Sequence, residues 1–168
     1  MQRVRQALNE ADLDMARQVL AGFPAHQRAH YTDHLHIVDR YFDDGAYAEE
    51  LNDLGRIYGP PRGLVLIGFV AEQVAGAVCL REIDRDGCEM KRLFVSRDHR
   101  RRGLARELCE VLLEKARALG YRRMVLDTGT FMVESQALYR DLGFRYIGPY
   151  QPVPEALRDG LVYMEKVL

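Results

Sequence analysis

Residues 94–108 read Phe-Val-Ser-Arg-Asp-His-Arg-Arg-Arg-Gly-Leu-Ala-Arg-Glu-Leu. The apolar start of this stretch predicts the end of a strand, and the apolar residues after Gly103 recur at the spacing of one helical face. An arginine-rich turn joins the two elements. The first backbone N–H groups of a helix lack partners and attract anions, and the small residues Gly103 and Ala105 leave the main chain uncovered. We therefore predict a phosphate-binding turn whose principal contact is the backbone from Arg101 to Arg106.

The turn matches neither of the common nucleotide patterns, G-x-G-x-x-G and G-x-x-x-x-G-K-[ST]. It reads Arg100-x-x-Gly103-x-Ala105 and resembles the Q/R-x-x-G-x-G/A motif of the GNAT family of N-acetyltransferases. Residues 89–95 resemble the fourth strand of that family, and residues 137–144 resemble its Leu-Tyr-x-x-Leu-Gly-Phe motif. The resemblance implies that the pyrophosphate of acetyl-coenzyme A is held by Arg100, Arg101, Arg102, Gly103, Leu104, Ala105 and Arg106.

Length and charge limit the class of protein. The 168 residues suit a single domain spanning 1–168, and 24 basic against 25 acidic residues leave a formal net charge of -1, so we do not expect a nucleic-acid partner. The three cysteines lie in apolar runs and the N-terminus carries no signal-peptide pattern, which predicts free thiols in a cytoplasmic protein. No apolar stretch approaches the ~20 residues of a membrane-spanning helix, and no membrane association is expected.

Apolar periodicity and turn residues divide the chain into alternating elements. The predicted strands are 3–8, 64–70, 74–80, 88–95, 124–127, 144–147 and 161–167. The predicted helices are 10–21 (capped by Asn9), 25–42, 46–54, 103–119 (stopped by Gly120) and 132–142. This order indicates an α/β (α+β) domain with a mixed, mostly antiparallel central sheet flanked by helices. The resemblance implies that the sheet splays between its fourth and fifth strands and that the cofactor lies in the V.

The resemblance also implies direct acetyl transfer in a ternary complex, without an acyl-enzyme. None of the cysteines lies in a recognisable nucleophile setting. The splay should free backbone N–H groups of Leu93, Phe94 and Val95 to bind the pantetheine arm and to polarise the thioester carbonyl.

Two side chains are candidates for proton transfer. Tyr139 occupies the position of the family tyrosine near the coenzyme sulfur, where a phenol of pKa ~10 can protonate the departing thiolate. The alternative for Tyr139 is an ordinary core aromatic residue. Glu89 aligns with a base glutamate of some family members and is the candidate general base, directly or through water. Its alternative is a solvated strand carboxylate paired with Lys91.

Two features depart from the family or lie outside its motifs. Met132 occupies the position where many relatives carry an asparagine that holds the coenzyme. Either Glu134 or Ser135 is expected to compensate, or pantetheine binding relies more on the strand; we assign Ser135 to the cofactor site. His26, His30 and His34 are spaced to share one helical face. Two such histidines can chelate zinc, but no further ligand pattern completes a site, and we predict a polar helix face and no metal.

The acceptor wall of the cleft is expected from the second helix and the loop after it. Seven acidic residues occupy this region: Asp33, Asp39, Asp43, Asp44, Glu49, Glu50 and Asp53. A negative rim would attract a cationic amine, small molecule or peptide, whereas the alternative is a solvated helix face. Two other functions stay open, a non-catalytic coenzyme A-binding regulatory domain and a nucleic-acid binder using residues 97–106. A homodimer that covers an edge strand is also open.

Overall fold

A computed structural model describes residues 3–168. Within this range, seven strands form one sheet in the order β1-β2-β3-β4-β5-β7-β6. The strands are β1 (Val4–Gln6), β2 (Leu64–Val70), β3 (Gln73–Glu82), β4 (Gly87–Val95), β5 (Arg123–Gly129), β6 (Arg145–Ile147) and β7 (Leu161–Val167). The pair β4–β5 is parallel and the other five pairs are antiparallel. The predicted fold class, a mixed and mostly antiparallel sheet flanked by helices, is confirmed.

In the described part of the chain, seven α-helices flank the sheet. They are α1 (Glu10–Leu20), α2 (Phe23–His30), α3 (Leu35–Tyr41), α4 (Asp44–Asn52), α5 (Leu54–Ile57), α6 (Leu104–Ala118) and α7 (Val133–Asp141). Asn9 caps α1 as predicted, because its side chain accepts a hydrogen bond from the Asp12 N–H. Gly120 follows α6 with φ 88°, the left-handed conformation expected of a C-terminal stop. No helix within residues 3–168 is both long and apolar enough to cross a membrane.

The predicted helix 25–42 is wrong, because the chain breaks at Tyr31. Tyr31 has φ -115° and ψ 58°, which no α-helix accommodates, and a single 3-10 turn over Thr32–His34 separates α2 from α3. The Tyr31 ring packs against Phe131, with ring centroids 4.9 Å apart. A contact with a residue 100 positions away therefore accompanies the break. The predicted helix 46–54 is likewise two helices, α4 and α5.

Two apolar cores cover the two faces of the sheet. On one face α6 packs Leu104, Leu108 and Leu112 against β2, β3 and β4. Each buried leucine stabilises the fold by about 1.5–3 kcal/mol relative to exposure. Gly68 on β2 permits the close approach of this helix, since a Cβ there would lie 2.9 Å from the Leu104 side chain. The other core joins α1–α5 to the opposite face. The first core holds α6 against the sheet, with its first turn near the end of β4.

The sheet opens between β4 and β5. The two strands pair only over the first three residues of each, Gly87–Glu89 with Arg123–Val125. Beyond this point β4 remains paired with β3, but none of the other described strands pairs with its free side. The β3–β4 register also shifts near Arg92, which adopts φ 60°. The splay between the fourth and fifth strands, expected from the family resemblance, is therefore present.

Candidate active site

The turn before α6 presents free backbone donors. Gly103 stands at the N-cap with φ 78° and supplies no capping side chain. The first helical hydrogen bond is donated by the Glu107 N–H to the Gly103 carbonyl at 3.1 Å, so the N–H groups of the three preceding helical residues, Leu104, Ala105 and Arg106, lack a helical acceptor. A Cβ built on Gly103 meets nothing within 4 Å. The turn therefore has both the donors and the open space that an anion requires.

The arginines of this turn have different surroundings. Arg100 is half-buried, donates from Nε to the Val95 carbonyl at 2.9 Å, and lies 5.7 Å over the Phe94 ring. Burial lowers the pKa of its guanidinium. Arg101 and Arg102 are exposed. Arg100 thus connects the turn to the end of β4. The assignment of the cofactor-binding residues stays a prediction, in which the backbone of the turn donates the hydrogen bonds.

The diverging strands open into a cleft of about 670 Å³, including the volume open to solvent. One wall belongs to β4 and β5, and the others belong to α2, α3, α7 and the loop before α7. Of the predicted site residues, Leu93, Ser135 and Tyr139 line the cleft. Phe94 and Val95 direct their side chains into the two cores. For Phe94 and Val95 the prediction concerned backbone groups, and β4 has no strand on the β5 side at these positions.

Tyr139 is held in the cleft wall by α7. Its side chain is 7% exposed and its ring meets Phe144 edge-on, with centroids 5.9 Å apart. Burial raises its pKa well above the usual value of 10, and the neighbouring acidic groups act in the same direction. The phenol therefore keeps its proton across the physiological pH range, as a general acid must.

Glu89 is completely buried rather than solvated. Its Oε1 accepts from Arg81 Nε at 2.6 Å, and its Oε2 accepts from the Tyr150 hydroxyl. The partner expected in the alternative interpretation, Lys91, instead contacts Tyr41 and Asp127. Glu89 is not among the residues that line the cleft. Both of its carboxylate oxygens are occupied, and its role as general base stays a prediction.

The sequence analysis missed a polar network that does line the cleft. The Tyr41 hydroxyl donates to Asp127 Oδ1 at 2.5 Å and accepts from Lys91 Nζ at 3.1 Å. Lys91 Nζ lies 3.9 Å from Asp127 Oδ2. Burial first, and the Asp127 charge next, raise the pKa of Tyr41 well above its usual value. One signal was visible in the sequence: Asp127 is a lone carboxylate after an apolar strand segment, Met-Val-Leu.

The seven acidic residues between positions 33 and 53 do not line the cleft. Most are engaged elsewhere on α2–α5 and β4: Glu50 with Arg92, Asp39 and Asp44 with Arg28, Asp53 with Arg56, and Asp43 as the N-cap of α4. Asp33 and Glu49 are exposed or nearly so. The proposed negative rim therefore does not form the cleft wall, and its place is taken by apolar side chains and the single carboxylate of Asp127.

Met132 lies in the cleft wall, and the three histidines do not share one helical face. Met132 lines the cleft, and its sulfur accepts from Gln27 Nε2 at 3.8 Å and from Thr128 Oγ1 at 3.6 Å. Glu134 is exposed, whereas Ser135 lines the cleft. His26 and His30 stack on α2, but His34 lies beyond the break and stacks on Phe131 at 4.3 Å. Within residues 3–168, no cluster of three or more His, Cys, Asp or Glu residues is suited to hold a metal ion.

Comparison with known proteins assigns the fold to a family. The profile of the Acetyltransferase (GNAT) family matches residues 24–144. The chain belongs to the GNAT family. The matched range holds the phosphate turn, both strands of the splay and Tyr139, so the resemblance inferred from the sequence is confirmed.

Individual GNAT relatives show how far the similarity extends. Human N-acetyltransferase 8 is 33% identical over 111 residues, which cover 62% of this chain and 49% of that protein. The chain thus spans about half the length of this relative. The IAA acetyltransferase of Azospirillum brasilense is 34% identical over 139 residues, which cover 78% of this chain and 86% of that protein. A Bacillus subtilis acetyltransferase crystallised with CoA superposes with TM-score 0.67 at 16% identity, over 99% of this chain and 98% of that one, and shares the fold.

Proposed function

We propose that this GNAT protein transfers an acetyl group from acetyl-CoA to a primary amine, by direct attack of the amine in a ternary complex. The observation that carries the proposal is the divergence of β4 from β5 after Glu89, on the strand that ends at the phosphate turn. The free backbone of β4 offers donors to an extended pantetheine arm, and the first turn of α6 offers donors to a pyrophosphate. The fold is shared with a protein that was crystallised with CoA.

The proposed roles of the residues follow their positions. The backbone of the turn, from Arg101 to Arg106, holds the pyrophosphate, and a backbone N–H among Leu93, Phe94 and Val95 polarises the thioester carbonyl. Ser135 contributes to the coenzyme wall. Tyr139 protonates the departing thiolate; its burial keeps the proton on the phenol until that step. Glu89 is a base only if Tyr150 relays the proton, because the Tyr150 hydroxyl occupies Oε2.

The acceptor is proposed to carry one ammonium group rather than several. The cationic acceptor expected from the sequence relied on acidic residues that do not line the cleft. One carboxylate, Asp127, remains in the cleft wall. A small-molecule amine and the amino group of a peptide both satisfy this requirement.

Location and assembly are further proposals. Cys79, Cys88 and Cys109 are free and buried, which suits the reducing cytoplasm. The strands β1 and β6 stand at the two ends of the sheet order, and a homodimer would protect either edge. Light scattering coupled to size exclusion measures the mass in solution.

A thiol-release assay tests the function. Wild-type protein is incubated with acetyl-CoA and a panel of primary amines, and free coenzyme thiol is followed with a chromogenic disulfide; acetylated product is verified by mass. Binding of acetyl-CoA is measured separately by calorimetry. Thiol release that depends on the amine supports the proposal. Tight binding without release across the panel would instead favour a coenzyme A-binding regulatory domain, and absence of binding would reject both.

A further inference from the structure

One residue from each of the two diverging strands faces the other across the floor of the cleft. The last pair in register joins Glu89 to Val125, and two positions further along lie Lys91 on β4 and Asp127 on β5. Their side chains are 11% and 5% exposed, and both line the cleft. Tyr41 of α3 bridges them through its hydroxyl. A buried polar network thus stands where β4 and β5 begin to diverge.

Resting on the proposed acetyltransferase function, we propose that Asp127 binds the ammonium group of the acceptor and accepts its proton, and that the acceptor is a monoamine with an alkyl or arylalkyl skeleton. Asp127 Oδ1 is engaged by Tyr41, but Oδ2 has Lys91 only at 3.9 Å, beyond hydrogen-bond distance. This oxygen can therefore accept an N–H from a ligand. Glu89, by contrast, has both oxygens occupied and lies outside the cleft lining.

The groups around Asp127 hold its carboxylate in place. Those that face it from the elements packed against β5 are Tyr41 (α3), Lys91 (β4), Tyr139 (α7), Tyr150 (the loop before β7) and Tyr163 (β7). For each tyrosine, burial first and then nearby charges including Asp127 raise the pKa. Arg92 of β4 also lines the cleft and lies 5.4 Å over the Tyr41 ring, but its guanidinium is paired with Glu50. Lys91 is therefore the cation of the wall that an incoming ammonium must compete with at Asp127.

The remainder of the wall limits the carbon skeleton of the acceptor. Its apolar members include Phe23, Ile37, Val38, Phe42, Phe131 and Leu161. A second ammonium group would be desolvated against these side chains without a carboxylate partner, which is costly. An alkyl or aromatic chain would instead bury apolar surface against them. The same wall that admits phenethylamine therefore disfavours spermidine.

Two side chains of this protein, Asp127 and Tyr139, carry out the proton transfers of the reaction. The ammonium of the acceptor gives one proton to Asp127, and the neutral nitrogen then attacks the thioester carbonyl carbon. A C–N bond forms, the C–S bond breaks, and the electron pair of that bond leaves on the coenzyme sulfur. Tyr139 gives its proton to the thiolate. The acetylated nitrogen then loses its second proton to Tyr139, which returns the phenol to its starting form. Asp127 finally releases its proton to solvent.

The test compares Asp127→Asn with Asp33→Asn, a matched change at an exposed acid of the same charge. Asp127→Asn is expected to lower kcat with phenethylamine by about 100-fold or more, the usual contribution of a general base, and to raise KM for the amine. Its dissociation constant for acetyl-CoA, by calorimetry, should equal that of Asp33→Asn. Wild-type kcat/KM for phenethylamine should exceed that for spermidine at least about tenfold, about 1.4 kcal/mol of discrimination.

A second variant keeps the test valid if Asp127→Asn does not fold. Tyr41→Phe removes the hydrogen bond that positions Asp127 Oδ1, so kcat with phenethylamine should fall by about tenfold while the dissociation constant for acetyl-CoA stays unchanged. An unchanged kcat in Tyr41→Phe, an Asp127→Asn variant as active as Asp33→Asn, or a loss confined to Glu89→Gln would overturn the role of Asp127. A preference for spermidine would overturn the acceptor class. If wild-type protein binds acetyl-CoA and acetylates amines while these outcomes occur, the proposed function stands and only this inference fails.

Discussion

Gly103 and Gly120 provide a matched pair for testing the phosphate turn. They flank the same helix, α6, with φ of 78° and 88°, and a Cβ built on either meets nothing within 4 Å. The Cβ of a leucine at either position therefore meets no neighbour, and both replacements carry the same penalty of the left-handed conformation, about 1–2 kcal/mol. For a chain of this length, each kcal/mol lowers the melting temperature by about 2–4 °C. Both variants should remain folded and be destabilised by similar amounts.

Only the variant at Gly103 should affect the coenzyme. A leucine there covers the free N–H groups at the start of α6, whereas a leucine at Gly120 stands at the other end of the helix. Loss of a single hydrogen bond to a charged group costs about 1.5–3 kcal/mol, so the dissociation constant for acetyl-CoA should rise by about 10- to 100-fold in Gly103→Leu. Calorimetric titration of both variants measures this. Equal affinities of Gly103→Leu and Gly120→Leu, with both folded, would refute the assignment of the pyrophosphate site.

Three further predictions concern catalysis, pH dependence and local stability. Tyr139→Phe should lower kcat in the thiol-release assay by about 100-fold while acetyl-CoA affinity stays unchanged, because the variant loses only the proton donor; a parallel loss of affinity would indicate a packing role instead. His26 has its pKa lowered from 6.5 to about 4, chiefly by burial, so below pH 6.5 the unfolded chain binds a proton that the folded chain refuses until about pH 4. The free energy of unfolding should therefore fall as the pH is lowered from 6.5 to about 4. Urea titrations at pH 7 and pH 4.5 should show a smaller fall in His26→Phe than in the wild type. Asn9→Ala removes the acceptor of the Asp12 N–H, at 3.0 Å, and should cost about 1 kcal/mol, seen as a fall of about 3 °C in melting temperature; an unchanged melting temperature would show that the cap is replaced by solvent.

Local chemistry was enough to predict most elements and the family. The strand 161–167 and the first strand of the hairpin, 64–70, match the observed bounds, because each apolar run begins directly after a glycine, Gly160 or Gly63. The caps at Asn9 and Gly120 were readable from single residues, since each depends on backbone chemistry within one turn of its helix. The phosphate turn was readable for the same reason: glycine, a helix start and a preceding strand are adjacent in the sequence.

The cleft chemistry depended on contacts between distant positions, and the sequence alone could not supply them. Tyr31 ends α2 where it meets Phe131, and Glu89 is buried by Arg81 and Tyr150, 61 positions away in the case of the tyrosine. Asp127 becomes a site residue only because the pairing of β4 with β5 stops two residues before it and Tyr41 reaches it across 86 positions. Helix and strand periodicity are local properties of the chain, whereas burial and hydrogen-bond partners depend on how the elements pack. The sequence therefore determined the family and the strand–turn–helix proposed to bind the pyrophosphate, and the tertiary structure decided which carboxylate faces the cleft.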